Sequence, residues 1–302
     1  MGEERKKMQG NYCDVYDGLG ESLWDTILSL LPFHEAVKTS ILSKAWQHSW
    51  TSIPYLDIDP FLTLPPERME EEEKKATATK DSDQYWAPLG GGDEWIRIVD
   101  KIFASHPGNI QKCRISTWYS KNGSNIDRWI SELMKRSIAE LVIESGGLGL
   151  SYKVPHILFQ HESLKKLELH GCAVNLPSFI SLKYINLRML KLHNTDISIG
   201  TLQRFLSQCG SLESLTLQGW YNIDVPFLNI SAPYLRDLDI NFCSCSKLKR
   251  VRIDAPNLKN VKMDNSVGVK VEIHPPLLET SKCWAAANIP VECSDEDGGS
   301  WD

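Results

Sequence analysis

Five copies of one short pattern decide what this chain can fold into. Two apolar residues three positions apart are followed, after one further residue, by a third: Leu164-Leu167-Leu169, Leu187-Leu190-Leu192, Leu212-Leu215-Leu217, Leu235-Leu238-Ile240 and Leu258-Val261-Met263. Successive copies begin 23, 25, 23 and 23 residues apart. Helical heptads do not give such steps, whereas one strand per repeat does, each stacked on the last. Weaker copies, Ile110-Cys113-Ile115 and Ile138-Leu141-Ile143, extend the series upstream at longer spacing.

The spacing is that of a leucine-rich repeat, so the expected fold is an α/β solenoid with a parallel sheet on its concave face. A second echo fixes the register: LNISAPYL at 228–235 returns as VRIDAPNL at 251–258, one repeat later, and each Ala-Pro marks the same return turn. VEIHPPLL at 271–278 resembles a further start, after which the apolar pattern fails in a tail that ends SDEDGGSWD.

Side chains alternate along a strand, so the residues between the leucines face the concave surface. Arg114, Glu168, Lys191, Asp239 and Lys262 fall in one column across the strands, and His170 and His193 in another. These seven are the candidate partner-binding residues. Strands about 4.8 Å apart bring Glu168 beside Lys191 and His170 beside His193. The two histidines, flanked by Glu144, suit a metal by residue type. Ligands on successive strands of an open sheet lack the closed shell of such sites, so docking contacts or solvated polar positions are expected instead, with no metal or cofactor. There is no glycine-rich phosphate loop, GxSxG or HExxH, so catalysis is not expected.

Ahead of the repeats the sequence is helical in pattern. SLWDTILSLL places Leu23, Ile27 and Leu30 on one face before Pro32; Phe33, Val37 and Ile41 repeat the spacing. Ser43 is placed to cap a third helix that carries Trp46 and Trp50. Three helices in about thirty residues cannot bury all their apolar side chains among themselves. That surface needs either the rest of the chain or another protein.

The stretch GLGESLWDTILSLLPFHEAVKTSILSKAWQHSWTSIPYLDID resembles the F-box of plant F-box proteins. The signposts are Ile27-Leu28-Ser29, Leu31-Pro32, Ala36-Val37-Lys38-Thr39-Ser40, Leu42-Ser43-Lys44, Trp46 and Leu56-Asp57-Ile58-Asp59. The repeats, with IDRWISELMKRSIAELVI and VPHILFQHESLKKLELHGC, resemble the plant F-box leucine-rich-repeat family over nearly the whole chain. The FBD region that follows the repeats in many relatives is not recognisable, which suggests a shortened member. The resemblance implies a three-helix F-box that docks on the Skp adaptor of a cullin-RING ubiquitin ligase. Leu19, Leu23, Ile27, Leu28, Leu31, Pro32, Val37, Leu42, Trp46 and Trp50 would form the adaptor face. The repeats would recruit a target protein for ubiquitylation, with the chemistry left to the conjugating partner. Gly20, Ala45, Gln47 and Ser49 depart from the usual F-box, which motivates an alternative: a repeat scaffold outside any ligase, with a degenerate F-box that caps the solenoid.

The expected layout is F-box 18–59, acidic linker 60–94, repeats 95–280 and acidic tail 281–302. A net charge of −6 argues against a nucleic-acid surface. No apolar run is long enough to span a bilayer and MGEERKKMQG has no signal-peptide core, so a cytoplasmic or nuclear location is expected. The eight cysteines show no paired CxxC spacing and are expected to be reduced.

Overall fold

The structure is a computed structural model that describes residues 26–28, 30–31, 33–41, 49–59, 93–118, 123–146, 151–177, 186–219, 226–241, 248–264, 269–274 and 284–285. The chain divides into two compact units, Met1–Ile138 and Ala139–Asp302.

In the first unit, residues 26–28 are helical, α1 spans Phe33–Lys38, and 3-10 turns follow at Thr39–Ile41 and Ser49–Ser52. The third helix expected from Ser43 lies mostly outside the described residues, and its last expected position, Trp50, stands in the second 3-10 turn. Leu28, Ala36 and Ile53 form a buried cluster against which Ile27, Trp50 and Tyr55 pack. The closing Leu-Asp-Ile-Asp of the F-box-like segment is strand β1, Tyr55–Ile58, extended by Asp59. It pairs in parallel with β2, Lys112–Trp118, in the register Leu56↔Cys113 and Ile58↔Ile115. Gln111 and Lys112 donate their backbone N–H groups to Pro54, which continues the ladder.

Helix α2, Asp93–Ser105, buries Trp95, Val99, Ile102 and Phe103, the spacing of one helical face. Helix α3, Gly123–Lys135, meets it through Trp129, whose ring lies edge-on to Trp95 at 5.3 Å and stacks on Phe103 at 6.3 Å. The indole Nε1 donates to Asp100 at 2.8 Å, so the buried ring has its polar atom satisfied. β1 and α2, which lie on either side of residues 60–92 in sequence, belong to the same compact unit.

The second unit carries the repeats. Strands β3 (Glu140–Gly146), β5 (Lys166–His170), β7 (Met189–His193), β9 (Ser214–Gln218), β11 (Asp237–Asn241), β13 (Asn260–Asp264) and β15 (Trp284–Ala285) lie in that order, and their registered pairs are parallel. Every leucine-type position of the pattern is buried: Leu164, Leu167 and Leu169 are 1%, 1% and 0% exposed, and the later copies match. The sheet face and the core face thus alternate as a strand requires.

Behind these strands the connections differ along the unit. Between β7 and β9 runs helix α4, Ile199–Gln208, started by Ser198, whose hydroxyl accepts from the Thr201 N–H at 3.1 Å. Its Phe205 meets Phe159 edge-on at 5.8 Å. Between the later strands the connections are strands themselves: β10 (Phe227–Ser231), β12 (Arg250–Asp254) and β14 (Lys270–His274) form a second parallel sheet. The echo of LNISAPYL in VRIDAPNL is this second sheet, in the register Leu228↔Val251 and Ile230↔Ile253. The Ala-Pro turns follow it, closed by Leu235 N–H to Ala232 C=O and Leu258 N–H to Ala255 C=O, each 3.1 Å. VEIH continues this echo as the third strand of the second sheet, in the register Val251↔Val271 and Ile253↔Ile273. A third small sheet, β4 (Tyr152–Lys153), β6 (Cys172–Val174) and β8 (Asp196–Ile197), lies in the earlier repeats.

Among the described residues no helix is long and apolar enough to cross a membrane.

Candidate functional site

Two surfaces correspond to the residues singled out in the sequence. On the first unit, Leu28 is fully buried in the Ala36–Ile53 cluster and Ile27, Val37 and Trp50 are half-buried. Leu31 is 36% exposed, while Leu30, which the helical spacing put on the inner face, is 80% exposed. The cause is local. Leu30 and Leu31 donate their N–H groups to Ile27 and Leu28, i to i−3 bonds that tighten the turn and change its phase. Leu19, Leu23, Pro32, Leu42 and Trp46 lie outside the described residues.

Within the same unit Arg114 is committed to the fold. Its Nη1 lies 3.0 Å from Asp57 Oδ1 and 3.1 Å from Asp59 Oδ2, which ties β2 to β1. His106 is fully buried and its Nε2 donates to the Ile53 carbonyl at 2.8 Å. Burial, and after it the nearby Arg136 guanidinium, holds this imidazole below its usual pKa despite that hydrogen bond.

The other six concave-face candidates lie in the second unit and form two groups. In one, Asp239 Oδ2 is 3.5 Å from Lys262 Nζ and accepts from Gln218 Nε2 at 3.4 Å. Beside it, Asn260 Nδ2 donates to Asp237 Oδ1 at 2.6 Å. Ser214, Thr216, Asp237, Asp239, Asn260 and Lys262 line an open hollow of about 250 Å³.

In the other, Glu168 joins three neighbours. Oε2 is 3.2 Å from Lys191 Nζ, and Oε1 accepts from His170 Nε2 at 2.7 Å. His170 and His193, opposite one another in the β5–β7 register, stack with centroids 4.3 Å apart and planes 8° from parallel. His193 Nε2 is 4.0 Å from Glu168 Oε1, buried, and without a hydrogen-bond partner. Burial raises the Glu168 carboxyl, but the bonds from His170 and Lys191 outweigh it and hold the pKa below the usual range. Burial, then the His170 ring, lowers that of His193. The carboxylate that meets both imidazoles is Glu168, two residues along the strand of His170, and not Glu144 on the neighbouring strand. These three side chains are the one set among the described residues whose ligand atoms could hold a metal ion.

Most charges of this face are thus matched across neighbouring strands, with Lys166 and Glu140 a further pair at 2.6 Å. Half-exposed pairs of this kind contribute at most about 1 kcal/mol each. They can be exchanged for a partner's charges at small cost. That suits a docking surface.

Comparison with known proteins bears on what docks. A family model described as FBD-associated F-box protein At5g56370, LRR repeats, matches residues 126–286. The F-box/LRR-repeat protein At3g58900 of Arabidopsis thaliana is 28% identical over 258 residues, 81% of this chain and 71% of that protein. The putative F-box/LRR-repeat protein At3g58880 is 32% identical over 254 residues, 81% and 51% of the two chains. The F-box/FBD/LRR-repeat protein At1g13570 is 28% identical over 226 residues, 75% and 48%. Both of these are also from Arabidopsis thaliana, and the chain spans about half their length.

Proposed function

Since the chain belongs to the family of FBD-associated F-box proteins with leucine-rich repeats, we propose that it is a substrate-receptor subunit of a Skp-cullin-F-box ubiquitin ligase. In this reading residues 18–59 are a three-helix F-box that binds the Skp adaptor, and 60–94 are an acidic linker. Residues 95–280 are the repeats that recruit a target protein, and 281–302 follow as an acidic tail. The receptor itself is not catalytic. It raises the local concentration of the target's lysines at the conjugating enzyme.

The observation that carries the reading is the order of parts, F-box signposts from Ile27 to Asp59 and then the repeats, in a chain whose relatives bear both names. The exposed Leu30 and Leu31 support it, because adjacent large apolar side chains at the surface suit a protein interface. Ile27, Leu28, Val37 and Trp50 then shape the adaptor face from within the module, and Leu19, Leu23, Pro32, Leu42 and Trp46 complete it.

One observation favours the capping role as a second reading. β1 is paired to β2 and its Asp57 and Asp59 hold Arg114, so the end of the F-box segment closes the sheet of the first unit. Deleting residues 1–60 would damage the fold under either reading, so point variants discriminate better. Calorimetric titration of the full chain with a plant Skp adaptor, beside Leu30→Ser/Leu31→Ser, is the test. Micromolar or tighter binding that the variant weakens at least about tenfold supports the receptor. A folded wild-type chain that does not bind leaves the capped scaffold.

A further inference from the structure

We propose that Glu168, His170 and His193 form a binding site for a divalent transition-metal ion of the zinc class on the repeat face, with one coordination position left open.

The repeat itself assembles the ligands. Parallel register sets His170 opposite His193 on β5 and β7, and alternation sets Glu168 on the same face as His170, two residues earlier. The three ligand atoms lie within 4.8 Å of one another. Around a tetrahedral ion with bonds of about 2.0–2.1 Å, ligand atoms stand about 3.3 Å apart. The observed separations from Glu168 Oε1, 2.7 Å to His170 Nε2 and 4.0 Å to His193 Nε2, straddle that value. An imidazole binds a metal in the plane of its ring, and two nearly parallel rings share no such point. Small rotations of the rings out of their stack are therefore part of binding.

The orphaned atom gives an independent reason. His193 Nε2 is buried and has no hydrogen-bond partner. Such an atom destabilises the fold unless something meets it. A metal ion beside Glu168 Oε1 meets it, and displaces the proton on His170 Nε2 that now occupies that oxygen; the proton leaves to solvent or is carried on Nδ1, and Nε2 is freed as a ligand.

The surroundings fit. Lys191 holds Oε2 at 3.2 Å, which orients the carboxylate with Oε1 toward the rings. The Lys191 charge works against a cation, and the Glu168 carboxylate between them offsets it. Gln218 is registered opposite His193 and Glu144 opposite His170, so both outer edges of the histidine pair carry polar neighbours. Two imidazoles and one carboxylate select zinc, nickel or copper over calcium and magnesium, which take oxygen ligands. Three protein ligands leave a fourth position for water or for a side chain of a docked protein. The site stands whether or not the chain serves a ligase.

The test is calorimetric titration of zinc into the reduced, metal-free full chain, beside His170→Gln and His193→Gln, with X-ray absorption at the zinc edge on the wild type. Expected are one ion per chain at micromolar affinity or tighter, at least about tenfold weakening in each variant, and a shell of nitrogen and oxygen that includes two imidazoles. Both positions are partly exposed, and circular dichroism checks that the variants keep the fold. Unchanged affinity in folded variants, or no binding in the micromolar range, overturns the proposal. Sulfur in the shell does so too, since it assigns the ion to cysteines instead of this site. The absorption spectrum decides even if a variant misfolds.

Discussion

Arg114→Met tests whether the F-box segment is built into the sheet of the first unit. The guanidinium spans Asp57 and Asp59, at 3.0 and 3.1 Å, with side chains 28%, 16% and 10% exposed. Exposed pairs contribute at most about 1 kcal/mol, whereas removing one partner of a buried pair costs about 3–5 kcal/mol. A site this enclosed lies between the two, and two carboxylates on one strand face repel once the arginine is gone. The expected loss is about 2–3 kcal/mol, felt as easier opening of β1 from β2. By hydrogen exchange that is an acceleration of roughly 30- to 150-fold for amides in 55–59 and 112–118, with no change in the second unit. Adding Asp59→Asn relieves the repulsion, so the double variant should lose about 1 kcal/mol less than the sum of the single losses. Acceleration below about threefold, or strict additivity, would refute the reasoning and leave β1 held by its apolar side chains alone.

Gly171 and Gly219 both have left-handed backbone, φ +62° and +67°, so alanine is strained at each. A Cβ at Gly171 would meet the Ser145 carbonyl oxygen, whereas at Gly219 it would meet the movable Asn194 side chain; Gly171→Ala should cost about 2 kcal/mol or more and Gly219→Ala less, by urea denaturation. Cys113, Cys172 and Cys209 are buried, with thiol pKa values pushed up, to about 12 for Cys172 and about 11 for Cys209, so mass-mapped alkylation should spare all three until the chain unfolds. His106 titrates lower folded than unfolded. The unfolded chain therefore takes up its proton first as pH falls, and the stability present above about pH 6.5 is lost on acidification below that value. The melting temperature of His106→Gln should fall less than that of the wild type between about pH 7 and pH 5.

The sequence made the repeat strands legible because burial repeats with the pattern: a leucine at each inward position is the whole condition for the sheet, and even Ile110-Cys113-Ile115 satisfies it. It hid the second sheet. LNIS, VRID and VEIH are short alternating runs, and the same runs serve equally as the start of a repeat. Leu30 was misplaced because periodicity assumes that the helix continues, whereas i to i−3 bonds at the turn rotate it outward. Glu168 and Glu144 differ in a way that register cannot resolve. Register gives neighbours across strands, but a glutamate side chain also reaches two residues along its own strand, as the 2.7 Å bond to His170 does. His106 carried no signal, since a single histidine in a loop has no period.

The receptor reading is tested most directly by hydrogen exchange on the full chain with and without a plant Skp adaptor. The account predicts new protection within residues 19–50, centred on Leu30 and Leu31, and none on the repeat strands β5 to β13. Protection on those strands with none in 19–50, or no protection anywhere at saturating adaptor, would contradict it.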